Sequence, residues 1–298
     1  MILPDFLNKG DKVGVLSTAR KIDKRDIEPA LGKLQSWGLQ PILGPTIDLE
    51  CNQFAGSDED RIQDFQNMLD NPEIKMIWCA RGGYGTVRII DALDFTNFIK
   101  QPKWIAGYSD VTILHSHLHT LGYATLHAPL VMDYMNTTKE AYQNFQNIIF
   151  GKYSECKIAA SKENRIGDAT GQLIGGNLSI LYSLSGSVSV MNTKGKILCI
   201  EDLDEYLYHV DRMCQSLKRS GIFEGLSGLI VGGMTKMHDN TIPFGKGAKQ
   251  IILNAVRDYD FPVVFDFPFG HIEDNRTLLF GAKATLKASS TEVTLKYV

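Results

Sequence analysis

Short apolar runs alternate with longer stretches of helical period through the first half of the chain. The runs at 12–17, 39–43, 74–79 and 103–107 read as strands, and 25–37, 58–70, 86–93 and 111–121 read as helices. Such alternation predicts a mainly parallel sheet flanked by helices. Ser57 stands where an N-cap belongs, with Asp60 three residues on as its capping-box partner. Periodicity lapses over 151–165, a polar stretch expected to link an N-terminal α/β domain (1–150) to a smaller mixed α+β domain (166–298). Beyond it come strands at 196–200, 227–231, 262–266, 283–288 and 292–297 and helices at 206–219 and 246–257. Neither repeats nor low-complexity tracts interrupt the pattern.

Composition narrows the partners. With 31 basic and 34 acidic residues in 298, the net charge of −3 offers no broad basic footprint for nucleic acid or anionic membrane. Pro4 and the charges around it interrupt any secretory segment, and no stretch reaches the roughly 18 apolar residues of a spanning helix. Five cysteines, an odd number without a CxxC, fit neither a disulfide framework nor a thiolate zinc site. The expectation is a chain of the reducing cytoplasm with no cofactor and no metal.

Four places carry candidate chemistry. Gly107-Tyr108-Ser109-Asp110 lies between a strand and a helix, where a serine on a tight turn projects its hydroxyl and the helix's first N–H groups face a developing oxyanion. Val111 replaces the second glycine of G-x-S-x-G, so a plain helix cap by Ser109 or Asp110 competes with that reading. Ala80-Arg81-Gly82-Gly83-Tyr84-Gly85 is a glycine turn able to form a nest of N–H donors, although Arg88 spoils the dinucleotide fingerprint. Glu201-Asp202 ends an apolar run and is placed to orient a histidine, or merely to face a helix N-terminus. His271 sits in the polar loop 269–276, free to act as a general base. His115, His117 and His119 would share a face only on a strand; on the expected helix just His115 and His119 align, without the glutamate of H-E-x-x-H.

The set ARGGYG (80–85), GYSD (107–110), GGN (175–177), IED (200–202) and FGH (269–271) resembles the serine LD-carboxypeptidases, the muropeptide-cleaving peptidases that include the microcin-C-resistance enzymes. The likeness runs from near residue 10 to near residue 280. It implies Ser109 as nucleophile, His271 as base, Glu201 as its orienting acid, and backbone N–H groups of Gly83 and Asp110 as oxyanion hole. Gly82, Tyr84 and Asn177 are further candidates for substrate contact. The implied reaction is removal of the terminal D-alanine from a muropeptide tetrapeptide in cytoplasmic wall recycling, through an acyl-enzyme, by a homodimer. Arg81, Arg88 and Arg276 are the candidate cations for the peptide's carboxylate. Three alternatives remain: a microcin-type peptidase acting on aminoacyl-nucleotide analogues, a non-enzymatic nucleotide- or sugar-binding protein cradling its ligand on the glycine turn, and a metal-dependent hydrolase using the His115/His119 pair.

Overall fold

The computed structural model describes residues 1–153 and 155–298. Thirteen strands lie among them: β1 (Lys12–Leu16), β2 (Gln40–Leu43), β3 (Ile74–Cys79), β4 (Trp104–Gly107), β5 (Thr125–His127), β6 (Cys156–Ala159), β7 (Gly167–Asn177), β8 (Ile197–Leu203), β9 (Gly228–Thr235), β10 (Val263–Val264), β11 (Leu278–Phe280), β12 (Lys283–Ala288) and β13 (Glu292–Tyr297). Eight α-helices accompany them: α1 (Lys24–Ser36), α2 (Asp58–Asp70), α3 (Thr96–Lys100), α4 (Thr112–Thr120), α5 (Lys139–Ile149), α6 (Leu178–Ser183), α7 (Leu207–Arg219) and α8 (Ala248–Ala255).

The first sheet has the order β11-β5-β4-β3-β1-β2, parallel except for β11. Its central strands β3 and β4 are buried almost throughout, as parallel strands covered on both faces must be, which explains their unbroken apolar runs. The second sheet, β10-β9-β8-β7-β12-β13-β6, is parallel from β10 to β7 and antiparallel from β7 to β6. The chain is therefore mixed α/β in both halves.

Local chemistry accounts for several boundaries. The Ser57 hydroxyl accepts from Asp60 N–H (3.1 Å) and Asp60 Oδ2 accepts from Ser57 N–H (2.8 Å), starting α2 with a complete capping box. The helix expected over 86–93 is instead two 3₁₀ turns, Thr86–Arg88 and Ile90–Ala92. Its first N–H, on Thr86, is taken by the Asp110 carboxylate at 2.8 Å, a tertiary contact that periodicity cannot register. Two segments cross the expected division. The stretch read as a linker, of which position 154 lies outside the described residues, contributes β6 to the edge of the second sheet. β11 returns from the other side of the division to pair with β5 of the first.

Parallel topology decides where chemistry can gather. β3 and β4 are paired in parallel, with Trp78 opposite Ala106, so the loops beginning at Ala80 and Tyr108 leave the same edge of the first sheet. β7 and β8 pair with Asn177 opposite Glu201, so those residues share one edge of the second. α4 joins the two edges: Thr112 Oγ1 accepts from Asn177 N–H at 2.9 Å. Gly176 lies so close to Thr112 that a Cβ there would come within 2.4 Å of the hydroxyl.

Candidate active site

The turn after β4 is backbone-strained. Ser109 holds φ +63°, a left-handed conformation that glycine adopts far more readily than serine, and is the first residue of the 3₁₀ turn Ser109–Val111 that leads from β4 into α4. That geometry lifts the hydroxyl off the sheet edge, toward Gly82, where a Cβ would stand 3.1 Å from Ser109 Oγ. Gly83 has φ +110°, and its N–H makes no hydrogen bond among the described residues. The N–H of Asp110 belongs to the first helical turn, where no intrahelical acceptor exists. Its carboxylate points away, onto Thr86, and burial raises its pKa.

Across the cavity, Glu201 is fully buried, and its Oε2 accepts two hydrogen bonds from one residue: His271 Nδ1 at 2.6 Å and His271 N–H at 3.1 Å. Gly270 makes that approach possible, since a Cβ on it would fall 2.5 Å from Glu201 Cγ. Burial alone would lower the His271 pKa. The Glu201 charge and hydrogen bond, helped by Asp202 and Asp133, outweigh it and hold the imidazole above its ordinary 6.5. The ring lies against Tyr108, centroids 4.7 Å apart.

Ser109 and His271 line one cavity of about 500 Å³, together with Gly82, Gly83 and Asn177. Asn177 is engaged as well as buried: it donates to Asp202 (2.9 Å) and accepts from Ser179 Oγ and Ile180 N–H, capping α6. Burial, then the Glu201 charge, push Asp202 up to about 7. Tyr84 lies outside the lining, half-exposed against Phe54. Of the three candidate cations only Arg81 borders the cavity; Arg88 is bound by Asp58 and Arg276 by Asp274. Arg20, Asp133, Asp204 and Glu205 also line it. Sequence reading missed Arg20 and Asp133, although Arg20 follows closely on the end of β1, the kind of strand edge where ligands of parallel sheets sit.

The histidine triplet is dispersed. His115 Nε2 meets the Gly107 carbonyl (2.9 Å), His117 Nδ1 the Ser189 hydroxyl (2.9 Å), and His119 Nε2 the Lys196 ammonium (2.6 Å). Burial lowers His115 and His119 to about 4, so both are neutral packing residues at physiological pH. Among the described residues no group of three or more His, Cys, Asp or Glu side chains is arranged to hold a metal.

A hydroxyl on a strained strand-to-helix turn, free N–H donors beside it and a carboxylate-bound imidazole in the same cavity make up the equipment of acyl-transfer hydrolases. Residues 13–128 match the LD-carboxypeptidase N-terminal domain and residues 170–286 the LD-carboxypeptidase C-terminal domain, so the chain belongs to the LD-carboxypeptidase family. It is 36% identical, over 96% of its own length and 92% of the relative's, to a probable murein peptide carboxypeptidase of Bacillus subtilis (strain 168). Muramoyltetrapeptide carboxypeptidase from Oxalobacter formigenes superposes with a TM-score of 0.87 at 27% identity, covering 96% of this chain and 98% of that one. MccF in complex with glutamyl sulfamoyl guanosine shares the fold, with a TM-score of 0.86 at 22% identity over 98% of each chain. No helix among the described residues is long and apolar enough to cross a membrane.

Proposed function

We propose that this protein removes the terminal D-alanine from muropeptide tetrapeptides, with Ser109, His271 and Glu201 as its catalytic residues. One observation carries the reading: in a chain of the LD-carboxypeptidase family, His271, held at 2.6 Å by buried Glu201 behind it, lines the same cavity as Ser109. The murein and muramoyltetrapeptide names of its relatives supply the substrate. The MccF likeness, at 22% identity, speaks for the fold alone.

His271 takes the Ser109 proton as the oxygen attacks the carbonyl preceding D-alanine. Glu201 keeps Nδ1 protonated, leaves Nε2 as the base, and stabilises the imidazolium. The N–H groups of Gly83 and Asp110 hold the oxyanion. The imidazolium protonates the leaving amine, D-alanine departs, and water activated by His271 hydrolyses the Ser109 ester. Five free cysteines suit the reducing cytoplasm, where wall recycling takes place. The family resemblance adds a homodimer, which sedimentation or light scattering tests.

Incubation with a muropeptide tetrapeptide should release D-alanine, and Ser109→Ala should lower the rate by at least ~10³-fold without lowering the melting temperature. Hydrolysis of an aminoacyl-sulfamoyl adenosine with no D-alanine release would transfer the assignment to the microcin-type reaction.

A further inference from the structure

The two walls of the Ser109 cavity differ in charge. Arg20 and Arg81 stand at the glycine turn, Asp204 and Glu205 beyond the end of the Glu201 strand. Arg81 is partly committed, because its Nη1 donates to the Lys21 carbonyl at 2.8 Å. Arg20 has an exposed side chain that makes no hydrogen bond or ion pair among the described residues. Its stem is laid across Gly83. A Cβ on Gly83 would come within 2.6 Å of Arg20 Cδ and 2.8 Å of Nε, so a side chain there would displace it. The backbone is tied at both sides, by Arg20 N–H to the Gly82 carbonyl (3.4 Å) and by an antiparallel bridge from Arg20 to Phe54. The Arg20 charge also acts on the carboxyl of Asp110, next to the nucleophile.

We propose that Arg20 binds the free C-terminal carboxylate of the peptide and so makes the enzyme cut one residue from the end. This rests on the hydrolase reading above. With the scissile carbonyl oxygen on Gly83 N–H, the terminal carboxylate lies a single residue away, about 3.8 Å between successive Cα atoms. A guanidinium lying over Gly83 is within that reach, and its planar fork pairs a carboxylate through two parallel hydrogen bonds. Lys236, the rival cation, lines an adjoining cleft of about 630 Å³ that shares His271 but not Ser109 or the glycine turn. Arg88 and Arg276 are already neutralised by Asp58 and Asp274.

The test compares a tetrapeptide ending in free D-alanine with its D-alaninamide counterpart. Arg20→Gln should lower the acid-to-amide ratio of kcat/KM by roughly 10- to 100-fold, chiefly through KM, because the amide cannot use the ion pair. Arg20→Lys should restore part of the ratio, while Arg81→Gln and Lys236→Gln should leave it within about twofold. Calorimetric binding of both peptides to Ser109→Ala and to Ser109→Ala/Arg20→Gln reads the same ratio without turnover. An unchanged ratio in Arg20→Gln, or a collapse in Lys236→Gln instead, overturns the proposal. A wild-type protein that releases no D-alanine refutes the D-alanine-releasing reading, and the binding ratio still judges Arg20.

Discussion

The turn carrying Ser109 and the loop carrying His271 solve the same problem by different physics. Ser109 is held by covalent backbone: two residues after β4 ends its sequence of buried positions, the chain is bent to φ +63° and caught by the turn that leads into α4. His271 is held by charge, 70 positions along the chain from the carboxylate oxygen that takes both its ring and its backbone N–H. Glu201 is fully buried, and its other oxygen has no hydrogen-bond partner among the described residues. The hydroxyl's position thus depends little on the side chain that bears it, whereas the imidazole's orientation, tautomer and proton affinity all depend on one anion.

Substitutions at the two places should therefore differ in kind. Among changes that keep the Ser109 hydroxyl, the largest effect is expected from Glu201→Gln, which should lower kcat by roughly 10³–10⁴-fold by removing the anion that selects the tautomer. The pH profile sharpens the point. Wild-type kcat/KM should fall as pH drops through the raised His271 pKa, since only neutral imidazole accepts the serine proton. In Glu201→Gln that acid limb should move to lower pH, because burial then prevails; a limb that stays in place would break the charge-held account. The same pair contributes stability fully present below the unfolded-state histidine value of about 6.5, lost as pH rises through the higher folded-state value.

A middle-sized effect is expected from Gly270→Ala, which leaves every titrating group in place. The added methyl meets Glu201 Cγ at 2.5 Å, and φ +94° is strained for alanine, so the loop must shift. Activity should drop roughly 10- to 100-fold, in keeping with the cost of a misplacement of about 1 Å, and the melting temperature should fall too. Full activity in this variant would show that the loop is not positioned by that contact. The smallest effect is one on stability, and it belongs to the other region. Ser109→Gly should remove the proposed nucleophile yet relieve the left-handed strain, and chemical denaturation should find it about 1 kcal/mol more stable than wild type. A less stable variant would mean that the turn is held by the side chain after all.

Much of the fold was legible. β1, β3, β4, α1, α2 and α4 fall close to the periodic segments, because central parallel strands are apolar runs and their helices show one apolar stripe, and β2, the edge strand, falls in the short run 39–43. β6 escaped notice because it is an edge strand alternating half-buried with exposed positions in a polar stretch. The short β5 and β11 each have three residues, too few for any period to emerge. At the site, spacing and strand-end position singled out Ser109, Glu201 and His271 one at a time, each with a plain structural explanation beside it. Tyr84 shared the glycine turn yet faces Phe54 instead of the cavity, and Arg20, outside every motif, faces the cavity.

By itself the sequence determined the parallel α/β layering, the capped start of α2 and the sharp turn at Ser109, since these follow from side-chain period, local hydrogen bonding and the few conformations a short link allows. Only the tertiary structure decided which loops share a cavity, which arginines are already neutralised, and that His271 is held above its ordinary pKa. Those properties depend on two sheet edges brought together by contacts such as Thr112 with Asn177, 65 positions apart. No local period encodes a contact of that range.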